Sequence, residues 1–248
     1  FVANTHSYML VFTDRGKLHW LKVYEIPDVA SSGRGKAIIN LVNIAPGEKV
    51  AAIVTVKSFD DAASVVMASR LGQVKKTALL AFSNPSSRGI IAMNLPDEDE
   101  LIAAQLITAD ENVVLGTHKG LSIRFSHTDV RQMGRNSYGV HGIRLVKDDY
   151  VVGMIAADEE GMILSVTERG FGKRTKIAEY RTQTRGGKGI INVKTTKRNG
   201  LVVAIMQVTD DSGLMVITEQ GKLIRVQASG IRKVGRSSQG VKLITIPA

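Results

Sequence analysis

The stretch best equipped for chemistry is Gln183-Thr184-Arg185-Gly186-Gly187-Lys188-Gly189, which runs straight into the strand-like Ile190-Ile191-Asn192-Val193. Glycines let the backbone approach a ligand closely, and an arginine and a lysine among them can neutralise phosphate, with hydroxyls and free N–H groups adding contacts. The same arrangement returns as Ser32-Gly33-Arg34-Gly35-Lys36-Ala37, Ser86-Ser87-Arg88-Gly89, Asn136-Ser137-Tyr138-Gly139 and Ser237-Ser238-Gln239-Gly240. Counted from Ala37 through Gly89, Gly139, Gly189 and Gly240, the spacings are 52, 50, 50 and 51 residues. A second marker, a polar-Gly turn before a basic alternating segment, keeps step at Gly16, Gly72, Gly120, Gly170 and Gly221. Two markers in register establish five tandem repeats, approximately 1–45, 46–97, 98–147, 148–198 and 199–248, forming a single domain over 1–248.

The cations follow the repeat. The loop before the last strand of each repeat holds Arg34 and Lys36, then Arg88, then Arg131, Arg135 and His141, then Arg181, Arg185 and Lys188, then Arg232, Lys233 and Arg236. The third strand and its flanks add Lys75, Lys76, Arg124, Lys173, Arg174 and Arg225, and Arg144 follows the loop of the third repeat. Together with Gln183, Gly186, Gly187 and Gly189, these are the expected contacts to a phosphate backbone. Acids gather elsewhere, at 60–61, 97–100, 148–149, 158–160 and 210–211, and read as solvated turns.

Other chemistries find no support. The glycine loops do not end in Gly-Lys-Ser/Thr and no helix follows, so a nucleotide site is not expected. The histidines at 6, 19, 118, 127 and 141 lack metal-ligand spacing, and no residue is assigned a catalytic role or a cofactor.

Composition narrows the partner. Lys and Arg number 33 against 23 Asp and Glu, for a net charge of +10, which favours a polyanion. Aromatic residues make up 5% of the chain and do not accompany the basic loops, which argues against base stacking and for duplex backbone contact. Cysteine is absent, which excludes disulfides and fits the cytoplasm, and no apolar run is long enough for a membrane span. Phe1 rather than Met opens the sequence, so it reads as a piece of something longer.

The elements that must position these residues are strands. Each repeat reads as four: 1–4, 8–13, 17–23 and 37–42 in the first, with counterparts ending at 89–95, 139–145, 189–193 and 240–246. First strands such as 50–56, 150–156 and 201–208 are nearly continuous apolar runs, suited to burial on both faces. Third strands alternate, as in Lys222-Leu223-Ile224-Arg225-Val226, which leaves one face wet. Five such repeats fit an all-β, propeller-like disc with the cations in a belt along its rim.

The box at 183–189 resembles the Gln-Arg-Arg-Gly-Gly-Lys-Gly signature of the C-terminal domain of the DNA gyrase A subunit. The likeness extends in order through Leu21-Lys22-Val23-Tyr24-Glu25-Ile26-Pro27, Gly72-Gln73-Val74-Lys75-Lys76-Thr77, Gly139-Val140-His141-Gly142-Ile143-Arg144-Leu145, Gly172-Lys173-Arg174-Thr175 and Val234-Gly235-Arg236-Ser237-Ser238-Gln239-Gly240-Val241. The resemblance implies a β-pinwheel whose blades exchange strands, bending duplex DNA with positive handedness and offering it to the cleavage core for negative supercoiling. The implied partners are double-stranded DNA, the ATPase subunit of the topoisomerase and the cleavage core of the same subunit, in the cytoplasm at the nucleoid. Thr184 stands where the signature has Arg, and the best box falls in the fourth repeat rather than the first. These departures imply a missing box-bearing blade upstream of Phe1. The C-terminal domain of topoisomerase IV is the near alternative, and a propeller that meets an acidic protein is the more distant one.

Overall fold

The computed structural model describes residues 3–30, 33, 35–59, 62–108 and 111–246. The first repeat contributes β1 (Tyr8–Thr13) and β2 (Lys17–Lys22). The second contributes β3 (Val50–Val56), β4 (Ser64–Ser69), β5 (Gln73–Ala78) and β6 (Ile90–Ile91), and the third β7 (Leu101–Ile107), β8 (Asn112–Thr117), β9 (Leu121–Ser126) and β10 (Val140–His141). The fourth supplies β11 (Val151–Ala157), β12 (Met162–Thr167), β13 (Phe171–Lys176) and β14 (Ile190–Ile191). The fifth supplies β15 (Val202–Val208), β16 (Gly213–Ile217), β17 (Leu223–Gln227) and β18 (Val241–Lys242).

Among the described residues no four-stranded sheet is built from one repeat. The sheets are β3-β1-β2-β6, β10-β5-β4-β7, β11-β8-β9-β14 and β15-β12-β13-β18, so the hairpin of each repeat is flanked by the first and last strands of the next. The exchange implied by the resemblance is therefore present. The fifth hairpin, β16-β17, pairs only with itself among the described residues. Each hairpin turns at a repeat glycine. Gly120 adopts φ +86°, and a Cβ there would sit 2.3 Å from Val193 O. The next repeat closes over that turn, with the N–H groups of Asn192 and Val193 both donating to Gly120 O at 2.8 and 3.1 Å.

That closure corrects the expected last strands. Only two residues of each pair as a strand, at 90–91, 140–141, 190–191 and 241–242, and after 90–91, 190–191 and 241–242 the chain bends to cap the neighbouring turn. The expected strand at 37–42 is a single 3-10 turn, Ile38–Asn40. The expected strand at 1–4 lies partly outside the described residues, and Ala3 and Asn4 are not in a strand.

The chain forms two compact bodies, one of Phe1–Thr108 with Val130–Val140 and one of Ala109–Asp129 with His141–Ala248. The core of the first body includes Leu10, Phe12, Leu18, Val54, Met67 and Phe82, with Phe12 and Phe82 packed edge to face at 6.2 Å. In the second, Val114, Ile155, Ile163, Ile177, Val202 and Ile205 form one cluster, and Met162, Leu164, Val208, Leu214 and Ile231 another. Burial on both faces is found for neither β3, whose Ile53 is 39% exposed, nor β15. β15 is the last of the first strands. It stacks on β11, leaving Ile155 2% exposed, yet its own Val203 and Met206 remain 47% and 42% exposed because no further first strand packs on it among the described residues.

Candidate nucleic-acid interface

The basic loops of the third, fourth and fifth repeats are carried by the third strand of the preceding repeat. Single parallel bridges join Lys76 to Gln132, Arg124 to Thr182 and Arg174 to Lys233. Beside them Met133 N donates to Lys76 O at 2.8 Å, Gln183 N to Arg124 O at 2.8 Å and Val234 N to Arg174 O at 2.9 Å. The loop then meets the strand again at its last glycine. Gly189 and Gly240 have φ +77° and +82°, and a Cβ would fall 2.4 Å from Ser122 O and 2.7 Å from Gly172 O. Any other residue would strain the backbone and collide with a carbonyl.

This arrangement corrects the expectation of a wet face on the third strands. β5, β9 and β13 are buried at their central residues because a loop from the next repeat lies over them. Five expected DNA contacts are consequently interior: Lys75 at 0% exposure, Lys76 at 9%, Arg124 at 5%, Lys173 at 1% and Arg174 at 2%. Arg124 Nη1 donates to Ile177 O and Tyr180 O, both at 3.2 Å, and its other terminal nitrogen pairs with Glu159. Arg174 donates from Nε to Ile231 O at 2.9 Å, from Nη2 to Ser229 O at 3.1 Å and from Nη1 to Asp210. In the first repeat Trp20 takes the equivalent place, donating to Phe82 O at 2.8 Å. These donors satisfy carbonyls of the short 3-10 turns that open each basic loop, groups that burial would otherwise leave unpaired. Of these third-strand cations only Arg225, on the hairpin that no loop covers among the described residues, is exposed as expected.

The remaining cations reach the surface. Lys36, Arg88, Arg144, Arg181, Lys188 and Arg232 are exposed, and Arg135, Arg185 and Arg236 are half-buried; Arg34 lies outside the described residues. Arg185 donates from Nε to Asp129 O at 2.8 Å and from Nη1 to His141 O at 3.1 Å. Arg236 repeats the pattern, with Nη1 donating to Ile191 O at 2.9 Å and the guanidinium 6.0 Å from the Tyr180 ring. Gly186 and Gly187 form the turn between Arg185 and Lys188, and Gln183 is half-buried at its start.

Some structural partners were not anticipated. Glu159 and Asp210 are paired with buried arginines rather than lying in unpaired, solvated turns. Asp210 also takes a 3.0 Å contact from Lys233, and hydrogen bonds from Arg174 and then Lys233 hold its carboxyl below the usual range. The signal for them is spacing, since each lies 35 or 36 residues beyond its arginine. Tyr180 is buried with its hydroxyl donating to Asn192 Oδ1 at 2.6 Å, and burial pushes its phenol up. Among the described residues no cluster of three or more His, Cys, Asp or Glu could hold a metal, and no helix is long and apolar enough to cross a membrane.

A family model described as DNA gyrase C-terminal domain, beta-propeller, matches residues 7–57, 63–108, 111–158, 161–209 and 214–248, one tract per repeat. The chain belongs to the DNA gyrase C-terminal domain family. It is 46% identical over 243 residues to the DNA gyrase A subunit of Salmonella typhimurium, 44% identical to that of Escherichia coli K12, and 42% identical over 247 residues to that of Helicobacter pylori 26695. These alignments cover 98% of the chain but only 28–30% of the relatives, so the chain spans under a third of their length. Among solved structures, a DNA gyrase A C-terminal domain matches with TM-score 0.86 and 27% identity, covering 99% of this chain and 80% of that one. The C-terminal domain of a DNA topoisomerase IV matches with TM-score 0.87 and 25% identity, covering 98% and 76%. The family's propeller label agrees with the exchanged four-stranded sheets.

Proposed function

We propose that the chain binds duplex DNA along its basic loops without strong sequence preference, bends it, and presents it as the transported segment for negative supercoiling by a DNA gyrase. The observation that carries this reading is repetition: loops at 131–137, 181–188 and 232–238 lie at one place on successive third strands, each with exposed or half-buried cations. In the second body Arg144, Arg181, Arg185, Lys188, Arg225, Arg232, Lys233 and Arg236 are exposed or half-buried. Smooth bending of 20–30 bp through 40–90° costs roughly 1–6 kcal/mol, so a half-turn or more needs on the order of 10. Each neutralised phosphate adds a salt slope of about 0.9, near 1.2 kcal/mol per decade of salt, so about eight contacts suffice. The five interior cations are withdrawn from the contact set, since their side chains are engaged or enclosed beneath the loops.

The chain then acts as a non-catalytic part of an ATP-dependent type IIA topoisomerase, in the cytoplasm at the nucleoid. Its partners there are the ATPase subunit of the enzyme and the cleavage core of its own subunit. Identity of 42–46% to DNA gyrase A subunits over 98% of the chain supports the gyrase reading. The deciding experiment titrates salt against binding to unrelated duplexes. Equal affinities with a steep common slope are expected. Base-dependent affinity, or salt-insensitive binding to a protein in place of DNA, would contradict the reading.

A further inference from the structure

Two of the basic loops rest on a lysine that solvent does not reach. Lys75 on β5 is 0% exposed and donates from Nζ to Ala92 O at 2.7 Å and to Arg135 O. Lys173 on β13 is 1% exposed and donates from Nζ to Gly235 O at 2.9 Å and to Arg236 O. Both are the third residue of their strand, and at that position β9 carries Ile123. There the loop simply rests on hydrocarbon, with Ile123 Cδ1 3.5 Å from where a Cβ on Gly187 would lie. An apolar side chain is thus compatible with the slot, and enclosing an ammonium in it carries a desolvation penalty. What lysine adds is a donor to the carbonyl of the very residue that presents each arginine.

We propose that Lys75 and Lys173 are positioning residues for DNA binding, each holding the carbonyl of Arg135 or of Arg236 turned inward so that these arginines face a phosphate with a positive charge directly beneath them. This rests on the reading that the loops bind DNA. Carbonyl oxygens carry partial negative charge, and drawing them away from an approaching phosphate removes a repulsion as well as fixing the turn. Lys75 has Arg135 as its charged neighbour; Lys173 has Glu179 and Arg236. Burial, then the adjacent arginine, brings Lys75 down to about 8; for Lys173 burial dominates, Glu179 opposes it and Arg236 adds to it, again giving about 8. A phosphate overhead favours the charged form, so DNA binding takes up protons near that pH and affinity falls as pH rises through it.

The test uses the 248-residue chain carrying Lys75→Met, Lys173→Met or both. Without DNA, amide exchange at 131–137 or 232–238 should accelerate about tenfold or more while the β4-β5 and β12-β13 hairpins keep their protection. Duplex affinity should fall by about tenfold per site, and the wild type's loss of affinity above about pH 8 should flatten. Unchanged loop exchange, affinity and pH profile would overturn the proposal. Should the variants fold poorly, calorimetry of the wild type in buffers of different ionisation enthalpy decides it: proton uptake on adding duplex supports the proposal, and none near pH 8 overturns it. A wild type that binds no duplex sinks the DNA reading and the proposal together. Variants indistinguishable from a wild type that does bind sink the proposal alone.

Discussion

Arg185 and Lys188 share a loop but not a role. Lys188 is exposed, whereas Arg185 also ties Asp129 O and His141 O. Replacing both by alanine should weaken binding equally for unrelated duplexes and lower the salt slope by about 1–2, as measured by anisotropy titrations. Lys188→Ala alone should do its share with no change in thermal stability, while Arg185→Ala should also loosen the loop. A base-specific loss would contradict backbone contact. The buried lysines give a signed pH effect. Lys173 titrates near 8 in the folded chain against a reference value of 10.5, so between those values the unfolded chain binds more protons and this group makes stability rise with pH. Urea midpoints should therefore climb more from pH 8 to about pH 10 in the wild type than in Lys173→Met. An identical climb in both would refute the assignment. Sequence placed Lys173 and Arg174 correctly on a strand but took both for DNA contacts, because alternation reports the strand and not the loop from the next repeat that covers it.

At the scale of elements, one glycine separates fold from function. Gly189→Ala forces a left-handed alanine against Ser122 O and should destabilise by about 2 kcal/mol or more in denaturant unfolding. Gly187→Ala meets only Ile123 Cδ1 at 3.5 Å and Thr184 O at 3.6 Å, without a left-handed φ, and should change stability by less than about 0.5 kcal/mol. Equal effects would mean the loop does not seat on β9 as described. The hairpins were legible in the sequence because a polar-Gly turn between apolar runs is local information. The last strands were legible only as far as their first paired residues, since the path beyond Ile191 is decided by Asn192 and Val193 capping the turn at Gly120, far back in the chain. Glu159 and Asp210 escaped for the same reason: their partners are set by strand exchange, which no short window contains.

For the molecule as a whole, five tracts matching one family model and loops riding on successive third strands make wrapping, rather than a single contact, the function to test. A duplex bent with a fixed hand leaves a topological record that simple coating does not. The most direct measurement relaxes closed circular DNA with a nicking-closing topoisomerase in the presence of increasing amounts of the chain, removes the protein and reads the linking number on a gel. A positive shift that grows with protein and disappears at high salt is the result expected for chiral wrapping around the loops. An unshifted distribution at saturating protein, under conditions where duplex binding is demonstrated, would contradict it.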